Sequence, residues 1–284
     1  MHAYRYGSHP AQVAQLTLPP ERAAGRAGSG PAWSGPAWSG PARGVVVMLH
    51  GGFWRARYDL GLQRDVAADL TAAGWAVWNV DYRAVPPGPN DGGGWPRTQA
   101  DVAAGVDLLA RVAAGHGLAA LVGQPRRVAV LGHSAGGCLA LWTTARHRLP
   151  PGAPGADPLV RPGSVVAQAA VCDLVAGVAQ GLGAGAVEAL MGGPPDADPR
   201  GYALASPAAL LPLGAETLLV SGRLDDVVPP VQSEEFARAA RAAGDDVTLE
   251  LVEGEGHFEH LDPRSRCWRL ARSWLSDRSA RMLS

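Results

Sequence analysis

The sequence predicts an α/β fold: a mostly parallel central sheet with helices on both faces and a small cap. Three observations lead there. Short apolar runs bounded by turn residues alternate with longer stretches at helical spacing, which is the pattern of βαβ units. The runs at 44–49 and 127–131 are apolar nearly throughout rather than alternating, as strands covered on both faces are. The polar motifs fall immediately after such runs, at the carboxyl ends of strands, where sites form in open α/β sheets. A chain of 284 residues suits one domain with a large core, spanning 1–284.

Taken in order, residues 11–19 alternate roughly and predict an early edge strand. A five-residue repeat follows, Ser29-Gly-Pro-Ala-Trp33, Ser34-Gly-Pro-Ala-Trp38 and Ser39-Gly-Pro-Ala-Arg43. Gly-Pro at every fifth position defeats both helix and ladder, so 20–43 reads as a flexible Gly/Pro-rich loop and most simply as a slipped repeat. Gly44–Leu49 is a buried strand, and 60–73 a helix with Leu62, Val66, Leu70 and Ala73 on one face. Trp75–Val80 is the next strand, followed by a Pro/Gly loop at 86–96. A helix over 98–114 carries Val102, Val106 and Leu109 at helical spacing. Arg127–Leu131 is a strand and 138–147 a helix, with Cys138 read as a small core residue. Val165–Val171 is another strand, and the Gly/Ala/Pro-rich stretch 172–215 is expected to form the cap within the domain. Strand 216–221, helix 231–243, strand 247–252 and helix 263–275 complete the series.

Composition excludes several classes of partner. The chain is 47% hydrophobic and 18% charged with a formal net charge of −1, all 25 basic residues being arginine. Such a balance offers no electrostatic reason to bind nucleic acid or an anionic membrane. No stretch approaches the length of an apolar span, and the first residues lack an apolar leader core, so the cytoplasm is the expected location. Three widely separated cysteines fit neither a disulfide framework nor a zinc site, so no metal or other cofactor is expected. The oligomeric state stays open, a homodimer included.

The chemistry centres on Gly132-His-Ser-Ala-Gly136, between an apolar strand and a helix-like stretch beginning at about Cys138. A G-x-S-x-G in that context presents a serine, here Ser134, on a tight turn that only glycines flank without collision. An attacked carbonyl needs donors for its developing oxyanion. Strand 44–49 ends in His50-Gly-Gly-Phe-Trp54, so the amides of Gly52 and Phe53 are expected to join that of Ala135. His50 orients this loop and His133, locked into the turn, is structural. A serine hydroxyl also needs a base, usually a histidine held by a carboxylate. His257, in the loop after strand 247–252, is favoured over His260, which is placed peripherally at the start of the last helix. Asp225, in the loop after strand 216–221, is favoured over Asp226, with Asp173 a lower-ranked substitute. Glu253 and Glu255 read as solvated loop charges.

Together, His50-Gly-Gly-Phe-Trp54, Gly132-His-Ser-Ala-Gly136, Gly222-Arg-Leu-Asp225-Asp-Val-Val-Pro229 and Gly256-His-Phe258 resemble an α/β-hydrolase. With Tyr6-Gly-Ser-His-Pro-Ala-Gln12 and Asp81-Tyr-Arg83, they are similar to the kynurenine formamidase-like and hormone-sensitive-lipase-like esterases. An aromatic pair stands where many lipase-like relatives carry a third glycine, which leans towards the formamidase side. The resemblance implies hydrolysis of a small ester or aryl formamide through an acyl-enzyme. Ser134 would attack, His257 shuttle the proton, Asp225 orient His257, and Gly52, Phe53 and Ala135 hold the oxyanion. Trp54 and Trp95, with Arg55 or Arg57, are candidates for an aromatic, carboxylate-binding substrate pocket. A general carboxylesterase for short-chain esters is the alternative, and a non-catalytic ligand receptor would be expected to lack one of Ser134, His257 and Asp225.

Overall fold

In the chain's computed structural model, residues 1–20, 41–85 and 92–281 are described. The Ser-Gly-Pro-Ala repeat lies almost wholly outside the described residues, as does the first part of the Pro/Gly loop expected at 86–96.

The chain opens with a hairpin of β1 (His2–Arg5) and β2 (Val13–Thr17). It continues through β3 (Val45–Leu49), α1 (Arg64–Ala72), β4 (Ala76–Val80), α2 (Arg97–Val112), α3 (Ala119–Val122) and β5 (Val128–His133). Next come α4 (Ala135–Ala145), β6 (Ser164–Gln168), α5 (Leu174–Ala179), α6 (Ala186–Met191) and α7 (Pro199–Ala205). The series closes with β7 (Glu216–Gly222), α8 (Val231–Ala242), β8 (Val247–Val252) and α9 (Arg266–Arg281). The strands form one sheet in the order β1-β2-β4-β3-β5-β6-β7-β8, antiparallel at β1-β2 and β2-β4 and parallel at every later pairing.

The central strands are apolar because both faces are covered: every residue of β3, β4, β5 and β6 is buried. Alternate residues divide between two cores. Val45, Val47, Leu49, Trp78, Val128 and Val130 pack with α2, α4 and Phe236 of α8 on one face. Val46, Met48, Val77, Ala129, Leu131 and Val166 pack against Val66 and Leu70 of α1 and Trp268, Ala271 and Leu275 of α9 on the other. The chain steps outward from β3 to β4 and then crosses back past β3 to β5. The loops leaving β3 and β5 therefore run to helices on opposite faces, which opens a crevice at their carboxyl ends.

Several details differ from the sequence reading. The early strand β2 is not an edge strand, because β1 pairs outside it. α4 starts three residues before Cys138, since Ser134 turns straight into the helix. β6 ends at Gln168 because Ala169 takes a left-handed φ of 45° that no ladder continues. α9 begins at Arg266 rather than 263, its first amides being bonded to a side chain described below.

Candidate active site

β5 delivers Ser134 at φ 58° and ψ −121°, a left-handed conformation costly for a serine and held here by its surroundings. Its N–H donates to Gln168 O at 2.8 Å, and its carbonyl accepts from Gly137 N at 2.9 Å and Cys138 N at 3.2 Å. The flanking glycines are steric necessities. A Cβ on Gly132 would stand 2.0 Å from Gly136 O, and one on Gly136 would stand 2.0 Å from Leu49 O. So close an approach binds β5, α4 and the end of β3 into one rigid unit. Cys138 is buried behind the turn, as a core residue is.

The loop after β3 comes up beside the serine, where a Cβ on Gly51 would lie 3.1 Å from Ser134 Cβ. Gly52 (φ 107°), Phe53 (φ 50°) and Trp54 (φ 55°) are successively left-handed, and Arg55 N closes the turn on Gly52 O at 3.0 Å. Among the described residues the amides of Gly52, Phe53 and Ala135 donate to no partner, so they are free for an oxyanion. Ala135 also opens α4, where the helix dipole favours negative charge.

His50 lies buried under this loop with Nε2 at 3.1 Å from Asp81 Oδ1. Its ring stacks on Tyr82 at 4.3 Å, and the Tyr82 hydroxyl donates to His50 O at 2.6 Å. Asp81 and Tyr82 entered the sequence reading only through a resemblance. The signal available was a polar pair directly after a fully buried strand.

His257 and Asp225 are in contact. His257 Nδ1–H donates to Asp225 Oδ2 at 2.8 Å, both side chains being almost wholly buried. The other carboxylate oxygen accepts from Val227 N at 2.9 Å and Val228 N at 2.8 Å, so the loop itself aims the acid. With Nδ1 protonated towards Asp225, Nε2 keeps the lone pair that general-base catalysis needs. Ser134 is 2% exposed and His257 5%. The histidine preceding the serine, His133, has its ring 4.6 Å from that of His257.

The competing candidates sort clearly. Asp226 is exposed. Asp173 caps α5, accepting from Val175 N at 2.8 Å and Ala176 N at 3.3 Å, and is engaged there rather than with His257. His260 is not peripheral: it is fully buried in a short 3-10 turn, its ring 5.7 Å from His133. Glu255 is not a free loop charge either. Its two oxygens accept from Arg266 N and Cys267 N, each at 2.7 Å, and so cap α9. Burial pushes the Glu255 pKa up, but those hydrogen bonds outweigh it and leave the carboxyl below its ordinary range. Glu253 is exposed, as expected, and pairs with Arg223 at 2.5 Å.

The expected aromatic pocket is not assembled. Trp54 is fully enclosed in the core, because its positive φ turns the chain inward, and presents no surface to a ligand. Trp95 lines a separate surface cleft with Pro150, Pro154, Asp198, Arg200 and Leu204, none of them a predicted site residue. Arg55 is held between Gly183 O and the Phe53 ring, and Arg57 lies over Tyr58. The stretch 172–215 supplies α5, α6 and α7, and it touches the loop after β3 where Gly183 admits the Phe53 ring. Among the described residues no cluster of side chains suited to a metal occurs, and no helix is long and apolar enough to cross a membrane.

The BD-FAE family model matches residues 36–239. No curated protein sequence matches the chain. Among solved structures it is similar to esterase B from Lactobacillus rhamnosis, with a TM-score of 0.75 at 18% identity over 99% of this chain and 87% of that one. A bifunctional GH43-CE protein from Bacteroides eggerthii gives 0.74 at 20% identity, over 97% of this chain but only 37% of that one. A carboxylesterase from Lactobacillus plantarum gives 0.71 at 16% identity, over 98% of each chain. The architecture is that of an α/β-hydrolase.

Proposed function

This chain belongs to the BD-FAE family of α/β-hydrolases, and from that premise we propose that it is a serine carboxylesterase acting on small esters. The observation that carries the reading is the 2.8 Å His257–Asp225 contact at the strand ends beside the Ser134 turn.

In this mechanism Ser134 Oγ adds to the ester carbonyl carbon while its proton passes to His257 Nε2. The carbonyl π electrons move to oxygen, and the amides of Gly52, Phe53 and Ala135 meet the resulting charge. As the intermediate collapses, the C–O bond to the alcohol breaks and the alkoxide takes the proton from Nε2. Water then repeats the sequence with His257 as base, freeing the carboxylic acid and Ser134. Asp225 stays ionised throughout and stabilises the imidazolium.

The burial of Ser134 and the enclosure of Trp54 support a short acyl group. An aryl formamide would use the same machinery, but the aromatic, cationic pocket it calls for would need Trp54 and Arg55, which are engaged elsewhere. Rates on p-nitrophenyl acetate, p-nitrophenyl octanoate and N-formylkynurenine, measured side by side, test the reading. The acetate should be hydrolysed fastest, and Ser134→Ala should lose roughly 10⁴-fold or more in kcat and all labelling by a fluorophosphonate. Retention of most activity in Ser134→Ala would overturn the assignment.

A further inference from the structure

The mechanism above leaves one buried titratable group beside the base unused. His133 ends β5 and, by strand alternation, faces the α1/α9 side while Gly132 faces α4. It is 2% exposed, and its Nε2 lies 2.8 Å from the backbone carbonyl oxygen of His257. A carbonyl only accepts, so His133 carries its proton on Nε2 and donates it there. Its Nδ1 then holds a lone pair with no partner among the described residues, 3.1 Å from where a Gly51 Cβ would stand. One imidazole thus touches the base loop at His257 and packs on the oxyanion loop at Gly51, and it directly precedes the serine. It thereby bridges the carboxyl ends of β3, β5 and β8.

The surroundings hold the ring in that role. Burial, and then the neighbouring His257, push the His133 pKa down to about 3, so the ring is neutral at working pH and does not compete for the catalytic proton. His260 packs behind it, fully buried, with burial and its two histidine neighbours likewise driving its pKa well down. The His257 loop turns through Gly254 (φ 76°) and is tied at Glu255, whose carbonyl oxygen accepts from Leu224 N at 3.0 Å, two residues short of the imidazole. A buried hydrogen bond to its carbonyl is a direct means of fixing where Nε2 points, and small displacements of a base are expensive in rate.

We propose that His133 is a positioning residue for the catalytic base, holding His257 in register with Ser134 through its backbone carbonyl. The inference rests on the proposed serine-esterase reading for its effect on rate, but not for its structural effect. The test compares His133→Leu, which fills the space without a donor, with His133→Gln, whose amide nitrogen stands at the same reach as Nε2. Three quantities are read: kcat and KM on p-nitrophenyl acetate, the low-field Nδ1 proton of the His257–Asp225 pair by NMR, and thermal unfolding. In His133→Leu, kcat should fall roughly 10- to 100-fold with KM little changed, and the low-field resonance should broaden or vanish. His133→Gln should restore most of both. Equal impairment of the two variants, or a wild-type kcat and resonance in His133→Leu, would overturn the inference. Failure of the esterase reading shows differently: Ser134→Ala would keep its activity while the resonance still responded to His133→Leu.

Discussion

Replacing Asp225 by asparagine tests the site with little change of shape. One carboxylate oxygen accepts from the Val227 and Val228 amides and the other from His257 Nδ1 at 2.8 Å, with the side chain wholly out of water. Asparagine has one acceptor and one donor end, so neither orientation satisfies the site. With its oxygen on the two amides, its NH₂ faces His257 and drives the imidazole proton to Nε2, which can no longer take a proton from Ser134. With its oxygen on His257, its NH₂ faces two N–H donors in a buried pocket. The first orientation keeps more hydrogen bonds and is catalytically wrong. The expected loss in kcat is about 10⁴-fold, equivalent to about 5 kcal/mol of transition-state stabilisation, because the tautomer and the ion pair are lost together. Initial rates on p-nitrophenyl acetate from pH 6 to 9 measure it, with the exposed Asp226→Asn as the matched control. The reasoning fails if Asp225→Asn keeps more than a tenth of wild-type kcat, or if Asp226→Asn is equally impaired.

Other consequences are as specific. Gly132→Ala drives a Cβ to within 2.0 Å of Gly136 O and should cost roughly 3 kcal/mol or more, lowering Tm by about 6 °C or more in calorimetry. Gly115→Ala, with nothing within 4 Å of its Cβ, should leave Tm nearly unchanged. Asp107 pairs with the buried Arg146 guanidinium through both oxygens and also accepts from Leu159 N and Val160 N. Asp107→Ala strands that buried cation and should cost roughly 3–5 kcal/mol in urea unfolding, without changing KM. His133 also makes stability depend on pH. Its pKa falls from 6.5 unfolded to about 3 folded, so between those values the unfolded chain binds the extra proton. Stability is therefore lost as pH falls through that window, with His133 contributing roughly 1.4 kcal/mol per pH unit, and His133→Gln should flatten the dependence in urea melts between pH 6 and 4.

Local sequence was enough wherever local physics decides. The apolar runs at 44–49 and 127–131 read as strands covered on both faces, and glycines flanking a serine after such a strand read as a tight turn. Spacing from neighbouring glycines ranked His257 over His260 and Asp225 over Asp226, an order the carboxylate contact follows. The misreadings lie where a residue's role depends on something distant in the chain. Glu255 looked solvated because its partners, the first amides of α9, belong to a helix whose start the sequence did not locate. His260 looked peripheral because the ring it lies against, His133, is distant in the chain. Trp54 and Trp95 looked like one pocket because both are aromatic, yet left-handed backbone turns Trp54 into the core while Trp95 faces a separate cleft. By itself, then, the sequence determined the alternation of elements and the tight turn at Ser134, since these follow from periodicity and backbone sterics within a few residues. Only the tertiary structure decided what stands behind His257 and which side chains pack beside Ser134. Both depend on which strand ends the sheet order makes neighbours, and no local pattern encodes that order.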